Sequence, residues 1–312
     1  MALPTNPAAS RSGSLVDPQV LMHIRNLELR ARVVVEGFWS GLHRSPYHGF
    51  SVEFTEYRQY TPGDDTRYLD WKVFARSDRY FLKRFEDETN LRCHLVVDQS
   101  RSMTFRSLTY TKADYAATLA ATLAYFLHLQ GDAVGLLSFD DQVRAYLPAR
   151  HRLGHLRRLM LALEEPAGGR GTDLIAPLRR VVDIVRRRGL VVLVSDFLAP
   201  IDELERALVQ LNACGHEVVV FQVLDPAEWT FNFTAPAMFD DLESGQTLLV
   251  DPGAVRTEYR ERLEAHCQAL RGIALRLGHH YARLLTDQPV EFALFDFLRA
   301  RTRQGRRVRR HA

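Results

Sequence analysis

The sequence predicts an α/β protein, a doubly wound and mostly parallel sheet preceded by a small strand-containing subdomain. Three observations carry this. From Leu91 onward, apolar runs rich in Val, Leu and Phe alternate with amphipathic segments of helical length, the mark of a parallel sheet covered on both faces. Several helical segments end at glycines, as left-handed C-terminal caps require. Polar loops bearing hydroxyls and carboxylates follow the apolar runs, where such sheets hold their ligands. A chain of 312 residues, 46% hydrophobic and 25% charged, is not disordered throughout and has room for one large or two modest domains.

In chain order, residues 1–18 read as a flexible N-terminus, rich in Ala, Pro and Ser. Residues 19–90 form an N-terminal helix and a small β-containing subdomain. The helix is expected from Gln19 to Gly37, with Leu21, Ile24, Leu27 and Leu29 near one face and Pro18 at its first turn. From Phe50 to Phe85, short aromatic and β-branched runs are divided by the turn Pro62-Gly63-Asp64-Asp65. Residues 91–300 are the α/β domain. Its strands are expected at Leu91 to Val97, Val134 to Phe139, Leu190 to Val194 and Glu217 to Val223. Its helices lie between them: Lys112 to Leu129 ending at Gly131, Leu153 to Leu163, Leu174 to Arg188 ending at Gly189, and Ile201 to Ala213 ending near Gly215. A hairpin from Met238 to Val250, a helix from Val255 to Leu270, a short strand at Ala282 to Leu285 and a helix from Val290 to Arg301 complete it. Residues 301–312 form an arginine-rich tail.

Composition removes several classes of function. No apolar run approaches the roughly 18 residues that span a bilayer, and the opening stretch lacks the apolar core of a secretory signal. Cys93, Cys214 and Cys267 are three isolated thiols, which points to neither a disulfide framework nor a thiolate zinc site and fits a reducing cytoplasm. His43, His48, His279 and His280 lack zinc-ligand spacing. The net charge of +3 includes six arginines in residues 301–312, so the remaining 300 residues carry −3. That body does not attract nucleic acid. The tail is read as solvated, with a nucleic-acid handle as the other reading.

The chemistry gathers at strand ends. Asp98-Gln99-Ser100-Arg101-Ser102 follows the first strand of the α/β domain and places one carboxylate and two hydroxyls on a tight loop. Thr172 adds a hydroxyl from the glycine-rich loop Gly168 to Asp173, and Asp196 a second carboxylate after another strand. Taken singly, Asp196 and Thr172 also suit N-terminal caps for the helices that follow them. Together the five are hard oxygen donors on one rim, too few in charge for a full cage and suited to Mg²⁺, with Mn²⁺ as the alternative. The glycine-rich loop carries no G-K-[ST], so it is not a phosphate loop.

These elements resemble the metal-ion-dependent adhesion site of von Willebrand factor A domains. The resemblance implies that Asp98, Ser100, Ser102, Thr172 and Asp196 form the metal-binding set, within a sheet of von Willebrand factor A (Rossmann-like) type. The run Glu56 to Arg76, including Tyr60-Thr61-Pro62-Gly63-Asp64-Asp65 and Asp70-Trp71-Lys72, resembles the signature of the bacterial domain-of-unknown-function fifty-eight family. Leu193 to Phe197 and Thr286 to Pro289 fit the same pattern. This second resemblance implies a chaperone-like partner of a MoxR-type AAA+ ATPase, acting on a client protein during its maturation or activation. The expected function is therefore a non-enzymatic, metal-dependent protein-interaction module in the cytoplasm, with no specific nucleic acid and no membrane span. The alternative is a Mg²⁺-dependent phosphoester hydrolase using Asp98 as nucleophile or base.

Overall fold

A computed structural model describes residues 15–44, 56–59, 81–84, 91–168, 175–185, 187–240 and 247–308. The chain divides into two compact units, one of Leu42–Asn90 and one that joins the residues up to Gly41 to those from Leu91 onward. In the smaller unit, β1 (Glu56–Gln59) and β2 (Phe81–Arg84) pair antiparallel, with Glu56 opposite Arg84.

The larger unit opens with α1 (Pro18–Met22) and α2 (Leu27–Arg44). These two helices replace the single one expected from Gln19 to Gly37. The break falls at Asn26, whose side chain accepts from the Leu29 amide at 2.8 Å and so starts a new helix. The domain boundary shifts for a related reason. Leu27, Ala31, Val34, Val35 and Phe38 are buried, and the Phe38 ring lies 6.4 Å from Phe126 and 4.6 Å from Phe295. The helix therefore packs within the α/β unit, whereas the sequence reading grouped it with residues 19–90.

Next come β3 (Arg92–Asp98), α3 (Lys112–Leu129), β4 (Ala133–Phe139), β5 (Val143–Arg150), α4 (His155–Leu163), α5 (Ile175–Ile184), β6 (Leu190–Ser195), α6 (Ile201–Ala213) and β7 (Glu217–Leu224). They are followed by α7 (Pro226–Thr230), the hairpin of β8 (Ala237–Asp240) and β9 (Thr247–Val250), α8 (Pro252–Arg276), β10 (His280–Leu285) and α9 (Glu291–Val308). The sheet order is β10-β7-β6-β3-β4-β5, parallel throughout except for β5. This is a doubly wound α/β fold of the expected class. Val191 and Leu193 of β6 and Val218 and Val220 of β7 join Leu178, Leu204, Leu208 and Leu270 in one core cluster. The intervening Val192, Val194, Val219 and Phe221 are buried too, as strands covered on both faces require.

Three elements depart from expectation. β5 has no counterpart in the sequence reading: Pro148 interrupts its pattern, which is tolerated because β5 is the sheet's antiparallel edge. α8 begins at Pro252, behind the cap Asp251, and runs to Arg276. α9 continues to Val308, so most of the stretch read as a solvated tail is helical.

Gly189 is not a left-handed cap either. Gly131 and Gly215 have φ of 82° and 75°, whereas Gly189 lies outside the positive-φ set and a Cβ there would sit 2.5 Å from the Arg92 carbonyl oxygen. Gly189→Ala is accordingly expected to lose about 1–3 kcal/mol by overpacking. Gly131→Ala, with open space around it, should lose only about 1 kcal/mol of backbone strain. Urea midpoints of the two variants measure the difference.

His94, buried in β3, is held down at about 4 by burial, with His216 and Arg92 adding to the effect. Its folded-state value lies below the unfolded one near 6.5, so its contribution is present above about pH 6.5 and lost as pH falls through about 4. Stability should decline over that window by on the order of 3 kcal/mol. His94→Gln should flatten the decline, read from urea midpoints at each pH.

Candidate functional site

β3 and β6 are neighbours, but the chain reaches them from opposite halves of the sheet. After β3 it builds β4 and β5 on one side, then crosses to build β6, β7 and β10 on the other. The gap between their carboxyl ends is the topological switch point, where an open α/β sheet leaves a crevice. Val97 pairs with Val194, so Asp98 and Ser195 come side by side immediately beyond.

Four of the five expected site residues meet here. Asp98 is fully buried, accepting from the Ser100 amide at 2.8 Å on Oδ1 and from the Ser195 hydroxyl at 2.5 Å on Oδ2. The Ser100 and Ser102 hydroxyl oxygens are 3.1 Å apart, and the Ser102 hydroxyl helps to hold Asp196 ionised. Thr172 lies outside the described residues, as do Asp64, Asp65, Asp70, Trp71, Lys72 and Arg76. Among the described residues beside Ser100, the Gly168 amide donates to the Gln99 carbonyl at 3.1 Å, and the Gln99 side chain donates to the Glu165 carbonyl at 3.3 Å.

The Asp196 turn is held from several directions. Its carbonyl accepts from Gln222 at 2.9 Å, and its Oδ1 from the Leu198 amide at 3.3 Å. Phe197 adopts a left-handed φ of 53°, unusual for a bulky residue. Its amide donates to Ser195 Oγ at 3.0 Å, and its carbonyl meets His266 Nε2 of α8 at 2.8 Å. Asp196 does not cap α6, whose N-cap is Pro200. Thr286 and Gln288 approach the same rim through carbonyls that accept from Tyr110 and Tyr115 of the β3–α3 segment.

Two participants were not foreseen. Lys112, fully buried at the start of α3, donates to Asp196 Oδ2 at 2.9 Å and to Glu228 Oε1 at 2.7 Å. Burial lowers the affinity of its ammonium for a proton, but the two carboxylates outweigh this and it stays charged. Burial likewise raises Asp196, yet Lys112 holds it below the usual carboxylate range. Asp98 has no such partner, and burial next to Asp196 pushes it up to about 7. A trace in the sequence was available: Lys112 is one of three lysines among 41 basic residues. Arginine cannot replace it without bringing a larger group into a closed space.

Three carboxylates, Asp98, Asp196 and Glu228, against one ammonium leave a formal charge of −2. Among the described residues no group of three or more His, Cys, Asp or Glu side chains is arranged to hold a metal, so a cation here would rest largely on hydroxyls. The 3.1 Å between Ser100 and Ser102 matches adjacent corners of an octahedron with bonds of about 2.1 Å. In the segment that carries Ser100 and Ser102, Arg101 and Arg106 are exposed and have no ion-pair partner among the described residues, and Leu198 is 41% exposed.

Comparison with known proteins places the chain in a family. The model for the protein of unknown function DUF58 matches residues 56–269. An uncharacterized protein of Mycobacterium tuberculosis (strain H37Rv) is 32% identical over 269 residues, covering 84% of this chain and 83% of that one. One from Mycobacterium avium is 29% identical over 150 residues, covering 47% and 86%. Among solved structures, the conserved hypothetical protein BatB from Bacteroides thetaiotaomicron aligns with TM-score 0.45 and 16% identity over 68% of this chain and 99% of that one. The VWA domain of SpRpn10 aligns with TM-score 0.41 and 11% identity over 65% and 93%.

Ser195→Ala would leave Asp98 Oδ2 and the Phe197 amide buried without a partner, an expected loss of about 2–3 kcal/mol. The matched control is Ser138→Ala, which removes a buried hydroxyl that has no partner among the described residues and should change stability little. Denaturant unfolding of both variants decides between them.

Proposed function

The chain belongs to the DUF58 family, and on that footing we propose that it is a non-enzymatic, metal-dependent protein-interaction module. In this reading it works with a MoxR-type AAA+ ATPase in the maturation or activation of a client protein. The supporting observation is the convergence of Asp98, Ser100, Ser102 and Asp196 at the switch point, around a formal charge that a divalent cation neutralises. Those four, with Thr172, would hold Mg²⁺ or Mn²⁺. Bound there, the ion supplies a Lewis-acidic position for an acidic side chain of the partner.

The chain's own residues do the rest. Ser195 and the Ser100 amide orient Asp98, Lys112 and the Leu198 amide orient Asp196, and Gln99 binds Gly168 and Glu165. Arg101 and Arg106 give the mouth a positive border that favours acidic surfaces, beside the exposed Leu198. The ATPase partnership is supported by the signature residues Glu56 to Arg76, Leu193 to Phe197 and Thr286 to Pro289. A cytoplasmic setting is supported by the three cysteines, none of which forms a disulfide; among the described residues no helix is long and apolar enough to cross a membrane.

The hydrolase reading finds less support. A nucleophilic carboxylate needs an oxygen free to reach substrate, whereas both Asp98 oxygens are engaged and the residue is fully enclosed.

Millimolar Mg²⁺ is expected to raise the melting temperature of the chelator-treated protein, and Asp98→Ala to abolish the rise. Capture of the cognate MoxR-type ATPase by immobilised protein should be lost in EDTA and in Asp98→Ala. Capture indifferent to both would remove the metal from the mechanism.

A further inference from the structure

Lys112 occupies an unusual place. It stands at the first position of α3, where the positive end of the helix dipole disfavours a cation, and it is fully buried. Two penalties act on one ammonium, and Asp196 and Glu228 offset them, with the Phe105 ring 6.0 Å away as a weaker contribution. Glu228 is itself fixed: Oε2 accepts from the Asp225 amide at 2.9 Å in a capping box, and Asp225 accepts from the Ser107 amide at 2.8 Å and from its hydroxyl. The ammonium thus joins the Asp196 turn to α7 and to the segment that follows Ser102.

From this geometry we infer that Lys112 is a resident counter-ion that sets the affinity of the Asp98–Asp196 site for divalent cations, with Glu228 setting how strongly it does so. The inference rests on the metal reading proposed above and adds its regulation. Lys112 cancels part of the charge that attracts the cation and shares Asp196 with it. Glu228 draws the ammonium the other way and restores one negative charge. The site is therefore built for moderate, exchangeable binding, and the cluster keeps a partial charge balance between binding events. Removing the ammonium takes the formal charge from −2 to −3, while neutralising Glu228 takes it to −1. The two changes act in opposite directions on cation affinity. A purely structural role for either residue gives no such opposition.

The test is calorimetric titration of the full chain with MgCl₂ and with MnCl₂, comparing the unaltered protein with Lys112→Met and Glu228→Gln. Circular dichroism and the melting temperature in EDTA report folding. Lys112→Met is expected to bind at least about tenfold tighter and to gain more in melting temperature from the cation, and Glu228→Gln to bind at least about tenfold weaker. Folding of Lys112→Met only with cation would also support the inference. If that variant is unfolded under all conditions, Glu228→Gln decides alone, and unchanged or tighter binding overturns the inference. Binding by the unaltered protein with no opposed shift overturns it while leaving the metal reading intact. Absence of binding in all three proteins takes down both.

Discussion

Two carboxylates at the ends of adjacent strands, both withdrawn from water, are the constraint around which the rest of the molecule is arranged. Burying an ionised acid is costly, and two together repel. The protein treats the two differently. Asp98 is surrounded by neutral donors, from Ser100 and Ser195, and keeps a raised proton affinity. Asp196 is given a full positive charge from Lys112 and stays ionised. The asymmetry is one of compensation: Asp196 has a resident positive charge beside it, whereas Asp98 has only neutral donors.

The arrangement depends on topology. Only at the switch point do two neighbouring parallel strands send their outgoing loops apart, leaving room for side chains between them. The charged groups at the site come from strand ends, loops and helix starts at that end of the sheet. Lys112 opens α3, Glu228 lies in the turn after β7, and Thr286 and Gln288 follow β10. The left-handed Phe197 turns the chain sharply enough for Asp196 to face Lys112, and His266 and Ser195 hold that turn against relaxation. A cost of order 1–3 kcal/mol in backbone strain is expected at such a position and marks the turn as a place where geometry outranks comfort.

What the sequence disclosed, and what it hid, follows from how each feature is encoded. Strands such as Leu190 to Ser195 are continuous apolar runs because both faces are covered, and they were legible to within a residue or two. Asp98, Ser100, Ser102 and Asp196 were legible as donors because each sits directly after such a run. β5 was not, since an edge strand exposed on one side tolerates Pro148 and polar residues that blur its pattern. The split between α1 and α2 depended on the single side chain of Asn26. Lys112 and Glu228 were hidden for a deeper reason. Their pairing spans 116 residues, and a charged residue at a helix start reads as surface until its partner is known.

The same pairing bears on the choice between recognition and catalysis as readings of this site. A hydrolytic centre would need a carboxylate or a base free to change partners during turnover, with an ion dominating the local field. Here the acids are already committed: Asp98 has both oxygens bonded to neighbouring groups, and Asp196 shares its charge with an ammonium that is itself held by Glu228. The two serine hydroxyls neutralise no charge. A cation resting on them would therefore retain much of its own charge toward an incoming ligand, and the exposed Arg101 and Arg106 would add to that attraction. In the proposed reading, an acidic group on a partner's surface is the ligand that gains from each of these features.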